Sequence, residues 1–198
     1  RLLVDPSAEE LREYILTAYR PALFGGFAMV PLRPRINRAR LSYEEASETI
    51  REAIGTVSDD YSVQAYFGRR WYANTLRNLF LADRPQAPLP PIRKAAVCAA
   101  GPSLEAALPR LAAVREDRWL IATDTSLPAL RSSGLTPDAV VSIDCQHISY
   151  YHFMGGMPEG VPLFMDLASP PVVAARTECR RFFSGGHPLT TYISRRWK

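Results

Sequence analysis

Residues 95–104 read Ala-Ala-Val-Cys-Ala-Ala-Gly-Pro-Ser-Leu. A short apolar run stops at a Gly-Pro pair, and Ser103 then opens the helical pattern Leu104-Glu105-Ala106-Ala107-Leu108. This order predicts a strand, a tight turn and a helix N-terminus. Gly101 admits backbone angles closed to other residues and lets a ligand approach the main chain. Ser103 is expected as the N-cap, with the first-turn amides and the positive end of the helix dipole facing outward. Phosphate groups bind at such ends without a basic side chain, so Gly101, Pro102, Ser103 and Leu104 form a candidate phosphate cradle. A plain serine-capped βα turn has the same sequence.

Downstream, Trp119–Ala122, Ala139–Ile143 and Val161–Met165 are further apolar runs, separated by helical patterns over 104–114 and 126–131. Strands alternating with helices predict an α/β domain whose parallel sheet is covered on both faces. Ligands are then expected beyond the carboxyl ends of the strands. Asp124, in Ala-Thr-Asp-Thr-Ser, ends the second run and Asp144 the third. With Thr125 they are candidates to hold a ribose, a sugar or an ion, and Asp144 is the candidate metal ligand. Capping and turn roles for both acids are the structural alternatives. His147, just beyond Asp144, and His187, in Ser-Gly-Gly-His-Pro, are candidate bases. Gly134-Leu135-Thr136-Pro137-Asp138 reads as connection chemistry, with Gly134 ending a helix.

Upstream of the sheet the chain reads as helical. Ser7 starts one amphipathic pattern, Ser42-Tyr43-Glu44-Glu45 is a capping-box signal for a helix to about Ile54, and a third helix is expected over 60–81. Arg84-Pro-Gln-Ala-Pro-Leu-Pro-Pro91 reads as a stiff linker. The expected organisation is therefore a helical region over 1–84, a linker over 85–93 and a nucleotide-binding domain over 94–198.

The 198 residues are 47% hydrophobic, enough for a core, and 24 basic against 20 acidic residues leave a net charge of +4. The basic residues lie in short groups, including Arg33-Pro-Arg35 with Arg38 and Arg40, and Arg180-Arg181. No nucleic-acid-binding motif accompanies them. The three cysteines have neither metal spacing nor disulfide density. With no membrane-spanning run and no signal-peptide pattern, a cytoplasmic location is expected.

Taken in order, Cys98-Ala-Ala-Gly-Pro-Ser-Leu104, Asp124-Thr125, Gly134-Leu-Thr-Pro-Asp138 and Val140-Val-Ser-Ile-Asp144 resemble the 6-hydroxymethylpterin diphosphokinase MptE-like domain of the motility-associated factor (Maf) flagellin glycosyltransferases. Phe67-Gly-Arg-Arg-Trp71 with Asn74 and Asn78 is similar to the helix that precedes that domain. The resemblance implies a Rossmann-like, sialyltransferase-like sheet that continues beyond Lys198. It implies transfer of a nonulosonic acid from a CMP-activated donor to Ser or Thr of flagellin or another surface protein. Archaeal relatives imply a second activity, diphosphate transfer from ATP to a pterin alcohol with Mg²⁺. A non-catalytic flagellin-binding module is a third reading. Sialyltransferases of similar fold carry Gly-Asn where this chain has Ala99-Ala100, and the pterin kinases carry further acids where it has Cys145-Gln146-His147.

Overall fold

A computed structural model of the chain describes residues 3–82 and 88–196. Two compact units result, Arg1–Gly68 and Arg69–Lys198. The first contains α1 (Ala8–Ala18), α2 (Pro21–Phe24), α3 (Arg33–Ile36) and the first part of α4 (Arg40–Ala82). Ser7 caps α1 as its sequence predicts: Ser7 Oγ accepts from Glu10 N at 3.2 Å, and the Glu10 carboxylate accepts from Ser7 N at 2.9 Å. Arg12 meets Glu52 at 4.0 Å, bringing α1 beside α4. The two helices expected over 42–54 and 60–81 are one helix of 43 residues. Ser42 is inside it and caps nothing. Gly55 alone costs only about 1 kcal/mol against alanine, and no proline interrupts the run, so the helix continues. Residues 85–87 of the expected linker lie outside the described residues, and 88–92 form neither helix nor strand.

The second unit is built on five strands, β1 (Ala95–Cys98), β2 (Trp119–Thr123), β3 (Ala139–Ser142), β4 (Leu163–Asp166) and β5 (Arg180–Phe183). They form one sheet in the order β1-β2-β3-β4-β5, and every pairing is parallel. Cys98, Ala122, Val140, Leu163 and Arg180 stand in register across the sheet as one buried row. β5 escapes the sequence reading because Arg180-Arg181 looks like a surface pair. Arg180 is in fact buried, donating from Nη1 to Thr177 O at 2.9 Å.

Helices α5 (Ser103–Ala113), α6 (Leu127–Ser132) and α7 (Pro171–Ala174), with the 3₁₀ segment His147–Phe153, fill the connections. When strands are added in one direction, right-handed crossovers all fall on one face. Accordingly Leu104, Leu130, Phe153 and Val173 share a core with Leu120, Val140, Leu163 and Met165. The opposite face is covered over β4 and β5 but open over β1, which corrects in part the expectation of cover on both sides. Val97 in β1 is 71% exposed there. Over β4 and β5, Leu79, Ala82 and Ile193 surround a cavity of about 470 Å³ floored by Phe164 and Phe183. Ile193 belongs to α8 (Pro188–Arg196), a helix the sequence reading missed.

The Gly-Leu-Thr-Pro-Asp stretch locks the amino edge. Gly134 has φ +72°, and Leu135 N returns to Leu130 O at 2.9 Å, ending α6. Asp138 accepts from Leu120 N at 2.7 Å and from Arg115 Nη2 at 2.9 Å. Burial opposes its ionisation, but these donors hold its pKa below the usual carboxylate value. Gly134→Ala should cost about 1–2 kcal/mol, because an L side chain is strained at that φ. Gly101 does not have positive φ, so Gly101→Ala should be nearly neutral. Urea unfolding of the two variants checks the contrast.

Candidate functional site

The carboxyl edge is closed by hydrogen bonds that run from strand to strand. Ser126 Oγ donates to Cys98 O at 2.7 Å, joining the turn after β2 to the end of β1. Ser142 Oγ donates to Asp124 Oδ2 at 2.7 Å, joining β3 to β2, and Ser169 Oγ donates to Ser142 O at 3.1 Å. Asp166, at the end of β4, accepts from Ala168 N at 2.6 Å and from Gly185 N beyond β5. From α4, Asn74 Nδ2 donates to Ala168 O at 2.9 Å and Cys145 O at 3.3 Å. Asn78 Nδ2 donates to Leu167 O at 2.9 Å and Ser169 O at 2.8 Å. Both asparagines are buried.

Against this edge the candidate residues separate. Gly101, Pro102 and Ser103 are exposed at the turn between β1 and α5. Ser103 is not the N-cap: Pro102 holds that position, Ser103 is the first helical residue, and no side chain caps α5. Leu104 sends its side chain into the core, and its amide bonds Gly101 O at 2.9 Å. A Cβ on Gly101 would meet only Ser103 Oγ, at 3.9 Å. Nothing inside the protein therefore requires glycine there. Thr125 is exposed, with Oγ1 3.0 Å from Thr123 Oγ1.

Asp124 is buried, and its oxygens take Ser142 Oγ and Thr125 N. Its carboxylate is thus engaged in holding the edge. Asp144 is half-buried and accepts from Gln146 N at 2.9 Å. His147 is exposed at the start of the 3₁₀ segment. His187 follows β5. Strands lie about 4.8 Å apart, so the ends of β1 and β5 are roughly 19 Å apart, and the ends of β1 and β3 roughly 10 Å. His147 follows the end of β3, in the middle of the sheet, while His187 follows β5, on the far side of the edge from the Gly101 turn. Among the described residues, no three His, Cys, Asp or Glu side chains gather as a metal site.

Asp166 and the two asparagines' role were not read from the sequence. Asp166 follows the apolar run 161–165 as Asp124 and Asp144 follow theirs, which is the signal that would have found it. The far side also contains Trp71, whose ring meets His187 edge-on at 4.8 Å and which donates a hydrogen bond to Cys145. Burial pushes the Cys145 thiol pKa up. Burial likewise lowers the His187 pKa, with Asp166 pulling the other way, and His187 Nδ1 is buried with no partner.

A larger groove, about 720 Å³, lies at the opposite, amino edge beside Arg93, Lys94, Arg115 and Arg118. Its cations are mostly neutralised: Lys94 pairs with Asp117 and Arg115 with Asp138, each at 2.8 Å. Ligand sites of parallel sheets lie at the carboxyl edge instead.

The second unit is thus a Rossmann-like α/β domain whose parallel sheet has an open, uncapped glycine turn after its first strand. The chain belongs to the family described as 6-hydroxymethylpterin diphosphokinase MptE-like, which matches residues 72–197. Three proteins of Treponema pallidum (strain Nichols), each described only as uncharacterized, are similar to it. The first is 34% identical over 69% of this chain and 66% of its own length. The others are 27% and 28% identical, over 85% and 77% of this chain. The chain spans only 37% and 28% of those two relatives. No solved structure matches. No described helix is long and apolar enough to cross a membrane.

Two measurements test this geometry. Asn78→Ala strips donors from two carbonyls and should cost about 2–4 kcal/mol in urea unfolding, at roughly 1–2 kcal/mol per lost bond. A loss near zero would remove Asn78 from the edge. For His187, a lowered folded pKa means the unfolded chain binds more protons near pH 6. Its contribution is full above the unfolded value of about 6.5 and is lost as pH falls below it. His187→Gln should flatten the stability profile over that window, and an unchanged slope would contradict the assignment.

Proposed function

We propose that this chain is a glycosyltransferase domain that takes a CMP-activated nonulosonic acid as donor and a Ser or Thr hydroxyl of flagellin or another surface protein as acceptor. The observation that carries the reading is the Gly101 turn: exposed, uncapped, and glycine for no internal reason. The Ser103 amide opening α5 holds the donor phosphate, and the helix dipole stabilises the charge that CMP gains on leaving. Thr125 offers a hydroxyl beside it. The acceptor oxygen attacks the anomeric carbon, the bond from that carbon to the phosphate oxygen breaks, and CMP departs with the electron pair. His147 takes the acceptor proton, and Asp144 orients the sugar. Asp124 supports this edge through Ser142.

The family description favours a second reading, diphosphate transfer from ATP to a pterin alcohol. Mg²⁺ in such reactions is held largely by phosphates and water with one or two carboxylates, and Asp144 is the carboxylate that would serve.

Calorimetry with CMP and ATP, each with and without Mg²⁺, decides between them. The glycosyltransferase reading expects metal-independent CMP binding that Gly101→Val abolishes without loss of fold. CMP binding retained by folded Gly101→Val would sink the phosphate site. Tight Mg²⁺-dependent ATP binding with no response to CMP would establish the diphosphokinase reading instead. Asp144→Asn and His147→Gln should each lower transfer by about 10²-fold or more at nearly unchanged melting temperature.

A further inference from the structure

Residues 20–41 of the first unit combine two properties that the fold of that unit uses only in part, Arg40 pairing with Glu44 and Arg20 with the carbonyls of Leu16 and Tyr19. The first is exposed apolar surface. Leu23, Phe24, Val30, Leu32 and Leu41 are 77%, 66%, 83%, 64% and 80% exposed. Phe27, at 45%, and Met29, at 38%, add to this exposed apolar surface. The segment is nonetheless built: Tyr19 Oη donates to Gly25 O at 2.6 Å, and the Tyr19 ring meets Phe27 edge-on at 5.6 Å. The second property is charge. Arg20, Arg33, Arg35, Arg38 and Arg40 are all exposed, and no acid occurs between Glu13 and Glu44.

Apolar and cationic surface on one stretch fits few partners. Pairing the stretch with itself in a two-fold dimer sets five arginines against five. Pairing it with the acidic stretch 44–60 of a second copy supplies opposite charge but little apolar surface, since Tyr43 and Val63 are the exposed large hydrophobics flanking that stretch. An anionic lipid surface satisfies both properties: headgroups take the guanidinium groups while the apolar side chains enter the acyl boundary. We infer that residues 20–41 dock this protein peripherally on membranes containing anionic lipid. No described helix spans a bilayer, so the contact is interfacial and reversible.

Co-sedimentation with large unilamellar vesicles tests the inference. The probes are phosphatidylcholine alone and phosphatidylcholine mixed with phosphatidylglycerol. The protein should partition at least about tenfold more strongly onto the mixed vesicles at low salt. That preference should vanish in roughly 1 M NaCl, where the Debye length is about 3 Å. R33Q/R35Q/R38Q, which leaves the Arg40–Glu44 pair intact, should lower partitioning by about 100-fold. F24S/V30S/L32S should lower it on both kinds of vesicle, with circular dichroism unchanged because these side chains are exposed. Absence of partitioning, equal partitioning onto both vesicles, or indifference to both variants would overturn the inference. So would a concentration-dependent dimer that F24S/V30S/L32S dissolves while vesicles bind nothing.

Discussion

Five parallel strands that stop together leave carbonyl groups and carboxylates at one edge, and most of that polarity is buried. The protein resolves this with short hydroxyl side chains and two asparagines. Ser126, Ser142 and Ser169 each reach back one strand, Asp166 ties β4 to the turn beyond β5, and Asn74 and Asn78 bind the carbonyls around Ala168 from α4. A buried group left unpaired costs more than a made bond returns, so the pieces of this network depend on one another. It explains why the last turns of α4 fold with the sheet and not with the helices before them.

The same constraint sorts the acidic residues. Asp124 and Asp166 are drawn into the network and have little capacity left for a ligand. Asp144 lies one step outside it, half-buried and accepting from the Gln146 amide. The strand order adds a second sorting. It does not reverse among the described strands, so the proposed phosphate site rests on the open turn at the β1 end and not on a reversal crevice. His187, Trp71 and Cys145 gather away from that turn, where burial and ring packing account for them. His147 is exposed beyond the end of β3.

Much of this was legible in the sequence. The first four strands, the turn at Gly101 and the end of α6 at Gly134 are visible because apolar runs, Gly-Pro and Gly-Leu-Thr-Pro each have one cheap local solution. β5 was not, because its buried Arg180 pairs with carbonyls that only tertiary structure supplies. The unbroken α4 was missed because Ser42 and Gly55 imitate a start and a stop that packing overrides. Ser103 looked like a cap, yet Pro102 takes that place and leaves the helix end open. The open sheet face over β1 follows from the strand order, which no local pattern encodes. The pairing of Asn74 and Asn78 with the carbonyls just after β4 spans more than eighty residues of chain for most of its bonds, beyond any local signal.

We propose that the hydrogen-bonded carboxyl edge positions the turn after β1 to receive a nucleotide phosphate. Amide chemical-shift mapping by NMR during a CMP titration addresses it residue by residue. The account predicts saturable shifts at Gly101, Ser103, Leu104 and Thr125, with the buried amides of Ala168 and Gly185 unmoved. Shifts centred on Arg93, Arg115 and Arg118 at the amino-edge groove, or no shifts at the turn, would contradict it.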